Sequence, residues 1–145
     1  MSAQFCSGAP GHALLCLQTY RKSGNCDYLL KAQEIAESVV LPRGLLKKGC
    51  GLCHGIAGNA FVFLSIHQVM ATSSDEDIND EEECKQWFNH ACVYANYALD
   101  NLEELESIPD RPYSLYEGLG GLCCLLLGLV EEGKGVNSKF PCFEF

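Results

Sequence analysis

The chain has 145 residues, of which 48% are hydrophobic and 20% charged, a composition typical of one folded globular domain. Its formal net charge is −9, and seven of its nineteen acidic residues lie within residues 75–83. Without a basic stripe, such a chain is a poor candidate for binding nucleic acid or anionic lipid.

A short pattern occurs three times along the chain: a polar residue, then Gly-x-x-Gly, then an apolar run. The repeats begin near Cys6, Cys53 and Tyr116, at intervals of 47 and 63 residues. A glycine pair ahead of an apolar segment suits a turn that lies close to its neighbours and is followed by a buried helix. The pattern therefore predicts inner helices over residues 12–22, 59–70 and 121–130.

Two amphipathic outer helices are predicted between the inner ones, because apolar side chains there recur at helical spacing. The first is expected to end before Pro42, and the second to begin after an acidic loop at 71–83 and end near Ser107. We find no alternating strand pattern, so the sequence predicts an all-α array of helical hairpins. The apolar positions are Leu29, Leu30, Ile35, Ala36 and Val39, then Phe88, Ala91, Cys92, Ala95, Ala98, Leu99 and Leu102.

An array of about two and a half hairpins leaves two apolar ends open, because each hairpin buries its face only against its neighbours. We therefore expect a piece of a larger assembly, in which missing N-terminal repeats or a protein partner cover the open end. No transmembrane segment is predicted, and the N-terminus has no basic region followed by an apolar core. The sequence thus predicts a cytosolic protein whose ten cysteines are mostly buried as free thiols.

Three residues at the repeat turns form a candidate metal site. Equivalent turns lie at the same end of adjacent inner helices, so Cys6 from one turn can meet Cys53 and His54 from the next. Two thiolates and one imidazole suit zinc, and three protein ligands leave a fourth position open for a substrate thiol. The spacing equally allows buried free cysteines beside a turn histidine. Lys48, Asp110 and Glu117 are predicted at the same end.

Two other functions use overlapping residues. The segment from Cys50 to His54 matches the C-x-x-C-H pattern of covalent haem attachment, and Cys50 with Cys53 matches a redox C-x-x-C pair. Haem attachment requires an exporting compartment, for which the N-terminus gives no signal. A thioredoxin-like use lacks the strand-helix-strand pattern that normally surrounds the cysteines.

With these residues assembled, the chain resembles the C-terminal part of the LanC-like proteins, the eukaryotic relatives of bacterial lanthionine cyclases. The matching segments cover nearly the whole chain in order and are more specific together than any single motif. They are Cys6–Gly11, Gly44–Gly49, Gly51–Gly55, Ala57–Ala60, Pro109–Asp110, Ser114–Gly118 and the ending Phe140–Phe145.

The resemblance implies an (α/α) toroid of seven helical hairpins, of which this chain is roughly the last three. It implies that Cys6, Cys53 and His54 are zinc ligands, and that further residues border a glutathione site. The family adds a thiol, from glutathione or a peptide cysteine, to a dehydroamino acid in a peptide. The residues that border the glutathione site by resemblance are Lys48, Ser107, Ile108, Pro109 and Asp110.

The resemblance also shows where the chain departs from its relatives. Ser7 replaces a histidine of close relatives, and Ser107 replaces an arginine that would pair with a carboxylate. The catalytic histidine and aspartate of the cyclases belong to earlier repeats, so no catalytic residue is assigned. The alternative function is a non-catalytic scaffold or adaptor with structural or missing zinc. Some relatives associate peripherally with the plasma membrane, and the resemblance otherwise implies a cytoplasmic location.

Overall fold

A computed structural model describes residues 2–75, 78–135, 139–141 and 143. Those ranges contain helices and turns and no strand, which confirms the predicted all-α class. A 3-10 turn, Phe5–Ser7, precedes the first α-helix, and a π-helical segment, Ala36–Val40, joins the second to the third. In chain order the α-helices are α1 (Ala9–Ser23), α2 (Cys26–Ile35), α3 (Leu41–Arg43), α4 (Ile56–Ala71), α5 (Glu81–Asp100), α6 (Leu102–Glu106) and α7 (Leu119–Glu132).

The inner helices α1, α4 and α7 lie side by side, with α4 between the other two. The outer helix α2 packs on α1, and the outer helix α5 packs on α4 and also reaches α7. This is the predicted alternation of inner and outer helices. Closure of such hairpins into a toroid stays a prediction from the resemblance.

Each inner helix begins directly after the first glycine of its Gly-x-x-Gly pair, at Gly8, Gly55 and Gly118. The helices therefore begin two or three residues earlier than the sequence predicted, because the second glycine lies inside the first helical turn. A Cβ atom on that second glycine would collide with the carbonyl of the residue six positions earlier in all three repeats. The pairs are Gly11 with Phe5, Gly58 with Leu52, and Gly121 with Leu115.

The three turns also share one backbone hydrogen bond. In each, the residue after the first glycine donates its N–H to the carbonyl seven positions earlier. The repeat is therefore present in the structure as well as in the sequence. Only glycine at the second position of each pair leaves room for the backbone of the preceding segment. The donor and acceptor pairs are Ala9 and Ser2 at 2.7 Å, Ile56 and Gly49 at 3.2 Å, and Leu119 and Pro112 at 2.6 Å.

The first outer helix does not end before Pro42 as expected. The chain stays helical through the π-helical segment, and Pro42 lies within the short helix α3. A proline removes one backbone donor, and a π-helical turn is one way in which a helix accommodates such a local defect. The buried Tyr94 hydroxyl of α5 donates to the Val40 carbonyl at 2.6 Å, which fastens this irregular segment to the second hairpin.

The acidic loop is shorter than predicted, because α5 begins at Glu81 and not after residue 83. The Asp80 carboxylate accepts the Glu83 N–H at 2.8 Å, and three glutamates occupy the first turn. Carboxylates near a helix N-terminus satisfy unpaired N–H groups and interact favourably with the helix dipole. Part of the predicted loop, residues 76–77, lies outside the described residues, and so do residues 142, 144 and 145 of the C-terminal ending.

Candidate functional site

The three repeat turns lie next to one another and are joined by backbone hydrogen bonds. The Cys6 N–H donates to the Cys53 carbonyl at 3.2 Å, which joins the first turn to the second. The Cys53 N–H donates to the Tyr116 carbonyl at 2.9 Å, which joins the second to the third. The turns therefore form a ladder at one end of the inner helices, as their sequence spacing predicted.

A buried asparagine fastens the segment that carries Cys6 to the central helix. Asn59 is fully buried in the first turns of α4, and its Nδ2 donates to the Ala3 carbonyl at 2.9 Å and to the Gly44 carbonyl at 2.7 Å. One side chain thus satisfies two carbonyls from separate loops, which a buried apolar residue could not do. The sequence placed Asn59 within a matching motif but gave no sign of this role.

The thiols of Cys6 and Cys53 lie side by side, although 47 residues separate them in the chain. Burial raises the pKa of Cys53 to about 11, and its hydrogen bond with Cys6, the Cys6 charge and the Glu117 charge add to this. Cys6 is exposed, whereas Cys53 is half-buried. The structure therefore brings together two of the three residues predicted as zinc ligands.

His54 follows Cys53 and lines a cleft of about 390 Å³, a size within the range of small-molecule sites, roughly 300–1,000 Å³. All three repeat turns contribute to the cleft. Gln4 lies just before the first turn, His54 belongs to the second, and Glu117 belongs to the third, where its charge also acts on Cys53. The residues that line it are Gln4, Lys48, His54, Ile108, Pro109, Asp110 and Glu117.

Four of the five residues predicted to border a glutathione site line this cleft, and Ser107 does not. Its hydroxyl donates to the Glu104 carbonyl at 2.7 Å at the end of α6, where the side chain is exposed. The Ser107 side chain therefore stabilises the turn at the end of α6, and this position offers no charged group to a ligand. Gln4 was missed by the sequence reasoning, because it belongs to no motif and reaches the cleft only through the turn ladder.

Gly49 controls how closely Lys48 approaches the loop that carries Pro109. Its φ of +97° lies in the left-handed region that favours glycine. A Cβ there would lie 2.7 Å from the Glu117 carbonyl oxygen and 3.3 Å from the Pro109 ring. Glycine at this position thus lets the second and third turns meet beside the cleft that Lys48 and Pro109 line.

The donor set fits zinc in its chemistry, with two adjacent sulfurs and an imidazole on the next residue. In the part of the chain that the structure describes, however, no three His, Cys, Asp or Glu side chains are grouped closely enough to hold a metal ion. The two thiols lie together, and His54 does not complete a set of three ligands in this conformation.

Cys50 is separate from this pair. It is 1% exposed, and burial together with the Glu106 charge raises its pKa to about 11. The groups that act on Cys53 are Cys6 and Glu117, so the two thiols of the C-x-x-C motif have different surroundings. A haem attached through both thiols would require both to be accessible, which this arrangement does not provide.

Comparison with known proteins decides the family. The model of the family described as lanthionine synthetase C-like protein matches residues 1–145, which is the whole chain. The chain belongs to the lanthionine synthetase C-like family. The resemblance found from the motifs is thereby confirmed at the level of the family.

Two curated relatives show how much of a longer protein the chain matches. A Danio rerio protein named glutathione S-transferase LANCL1 is 35% identical over 140 residues, which are 97% of this chain and 31% of that relative. An Arabidopsis thaliana protein named LanC-like protein GCL1 is 37% identical over 144 residues, which are 97% of this chain and 30% of that relative. The chain thus spans about a third of the length of these relatives. No helix in the described ranges is both long and apolar enough to cross a membrane.

Proposed function

We propose that this chain provides the zinc and thiol-binding part of a LanC-like enzyme. In this proposal Cys6, Cys53 and His54 hold the metal, and the adjoining cleft takes glutathione or a peptide cysteine. The observation that carries the proposal is the pairing of Cys6 with Cys53 across two repeats, beside a cleft that His54 lines. The name of the zebrafish relative supports glutathione as the thiol.

The charges around the cleft suit a zwitterionic thiol such as glutathione. In the proposed complex the Lys48 ammonium pairs with a ligand carboxylate, while Asp110 and Glu117 pair with a ligand ammonium; all three line the cleft. Ile108 and Pro109 supply apolar wall between these charges. Since Ser107 offers no charge there, recognition of the carboxylate rests mainly on Lys48.

The proposed reaction adds the thiol across the double bond of a dehydroamino acid. Zinc bound at this site would lower the pKa of a substrate thiol, so that the thiol is present as the thiolate near neutral pH. A bond forms between sulfur and the β-carbon as the π bond breaks, and a proton is added at the α-carbon. In this proposal Lys48 and the two carboxylates that line the cleft bind and orient the thiol, and the group that delivers the proton is not assigned.

Calorimetry on the zinc-loaded chain tests the ligand. Glutathione is expected to bind, and Lys48→Ala to weaken binding about tenfold or more, because it removes the cleft's lysine. Lys31→Ala is the matched control, since Lys31 pairs with Glu34 on an exposed face away from the cleft. Equal binding by all three proteins would exclude the cleft as the glutathione site. Incubation with glutathione and a dehydroalanine peptide, followed by mass measurement, then tests the reaction.

A second candidate function, a non-catalytic helical scaffold, is favoured by the exposed apolar faces at both ends of the array. Leu15 of α1 and Leu127 of α7 are 55% and 63% exposed, which is unusual for residues of inner helices. A partner that covers these faces would make the array an adaptor. Zinc content without thiol addition would support this function over the enzyme.

We also propose a cytoplasmic location for the protein. All nine cysteines in the ranges that the structure describes are free, which suits a reducing compartment. Location of a tagged chain by fractionation tests this, and peripheral plasma-membrane association would appear as a salt-extractable membrane fraction.

A further inference from the structure

The paired thiols of Cys6 and Cys53, two of the three proposed zinc ligands, are also candidates for covalent modification. A hydrogen bond between the two turns holds their backbones together at 3.2 Å, and the Cys6 thiol is near enough to Cys53 to help raise the pKa of the Cys53 thiol. Disulfide formation requires close Cα atoms and β-carbons that face each other. The backbone hydrogen bond brings the two residues close together, and the interaction between their thiols indicates that the side chains face each other.

We propose that Cys6 and Cys53 form a reversible disulfide when a hydroperoxide reaches the site. The consequence for activity rests on the proposed function, because the same two sulfurs are the proposed zinc ligands. The disulfide itself does not depend on that function. Oxidation would remove both sulfur ligands at once and thereby close the thiol site.

The chemistry balances with one hydroperoxide. The exposed Cys6 sulfur attacks a peroxide oxygen, the O–O bond breaks, and the products are a Cys6 sulfenic acid and, with hydrogen peroxide, one water. The Cys53 thiol then attacks the Cys6 sulfur, and its proton leaves with the hydroxyl as a second water. Two thiols lose two electrons, and the peroxide is reduced. A thiol reductant reverses the bond by exchange.

The accessible position of Cys6 distinguishes this pair from the buried cysteines. Cys50, the sequence neighbour of Cys53 in the C-x-x-C motif, is buried and lies in the field of Glu106. Cys16 and Cys84 are buried in the core. Cys26 and Cys123 are exposed as well, but Cys6 combines exposure with a neighbouring thiol from another repeat turn, that of Cys53.

Peptide mapping of the full chain tests the proposal. The protein is treated with one to ten equivalents of hydrogen peroxide, both as purified and after removal of metal with a chelator. Remaining thiols are alkylated, and the tryptic peptides are measured by mass. The expected product joins the peptide of residues 1–21 to that of residues 49–85, with a loss of two hydrogens. Fragmentation must assign Cys6 and Cys53, since these peptides also contain Cys16, Cys50 and Cys84.

Three variants make the result specific. Cys53→Ser is expected to abolish the cross-link and to leave Cys6 as a sulfenic acid that dimedone traps. Cys50→Ala is expected to retain the cross-link, and so is Cys26→Ser, which removes an exposed thiol elsewhere. A cross-link between Cys50 and Cys53 would overturn the proposal. So would an unmodified Cys6 and Cys53 in the chelated protein after other cysteines are oxidised.

The metal measured in parallel separates this proposal from the proposed function. A cross-link in a chain that never bound zinc would support the disulfide and count against the metal site. Zinc binding without a cross-link after chelation would support the metal site and refute the disulfide. In a zinc-loaded chain, both proposals together predict that zinc is released in step with cross-link formation.

Discussion

Helices α4 and α7 begin with the same glycine turn, yet they differ sharply in burial. In α4 almost every side chain is buried, because α1, α5 and α7 surround it. In α7 one face is open, and Leu127 and Val130 are 63% and 55% exposed. Alignment of the glycine pairs makes Leu127 the counterpart of Leu64, which is fully buried. The turn therefore specifies where an inner helix begins, whereas the neighbouring helices specify how much of it is buried.

The same comparison holds at the other end of the array. Leu15 of α1 is the counterpart of Val62 of α4 when their glycine pairs are aligned. Leu15 is 55% exposed and Val62 is fully buried. The open faces of α1 and α7 thus correspond to positions that are covered in the middle helix.

The largest effect is expected from Gly58→Ala in the central turn. The new Cβ would collide with the Leu52 carbonyl, which belongs to a backbone that the neighbouring turns hold on both sides. Because neither segment can move, we expect the free energy of unfolding to fall by more than about 3 kcal/mol. Gly133→Ala is the control, since its Cβ would meet nothing closer than 3.6 Å. Urea unfolding of both variants checks this, and equal stability would refute the crowded-turn account.

Leu64→Ala and Leu127→Ala test the matched pair directly. Truncation of the buried Leu64 should lower the free energy of unfolding by about 3 kcal/mol, because a cavity remains. The exposed Leu127 should change stability by less than about 0.5 kcal/mol. Chemical denaturation with a common baseline measures both. A large loss at Leu127 would mean that its face is covered in solution, for example by a second molecule.

Asn59→Ala should lower the free energy of unfolding by about 2 kcal/mol, because two buried carbonyls lose their donor. Its counterpart in α7 is Leu122, so the requirement belongs to the central helix and not to the repeat. Asn101→Ala removes a similar bond to the Tyr97 carbonyl at a half-exposed helix end, where water can replace it. We expect Asn101→Ala to lower the free energy of unfolding by less than about half as much as Asn59→Ala in the same assay.

The smallest effect concerns pH. Burial lowers the pKa of His90, whose ring on α5 lies 5.6 Å from that of Phe63 on α4. The folded protein then binds fewer protons than the unfolded chain below the usual histidine range, so stability falls as pH drops through about 6.5. Because the ring is only partly buried, the loss is expected to stay below about 1 kcal/mol. His90→Gln should flatten the stability profile between pH 7 and pH 5, and an unchanged profile would contradict this assignment.

The sequence predicted the helical repeat well because glycine spacing and apolar periodicity are local signals. Gly-x-x-Gly marked all three inner helices, and the structure shows the same hydrogen bond in each turn. Local signals failed at Pro42 and at the acidic run, where a π-helical segment and the Asp80 cap changed the helix limits. Both features depend on backbone geometry that composition does not reveal.

For the candidate site, motif spacing predicted which turns meet, and the resemblance supplied most of the cleft residues. Gln4 and Asn59 could not be predicted in their roles, because each acts through a contact with a distant turn. Ser107 was expected at the cleft from its position in the loop, but its hydroxyl bonds to the preceding helix instead. A side chain's direction at a helix end depends on local hydrogen bonding, which a one-letter pattern does not specify.

The most direct test of the central claim is the zinc content of the purified chain, measured by elemental mass spectrometry beside Cys6→Ala and Cys50→Ala. The claim is that Cys6 and Cys53, from different repeats, belong to one metal site. It predicts about one zinc per chain in the parent and in Cys50→Ala, with a large loss in Cys6→Ala. Light scattering on the same samples shows whether each is monodisperse, and circular dichroism shows whether each retains its helices. Full zinc content in folded Cys6→Ala would contradict the claim.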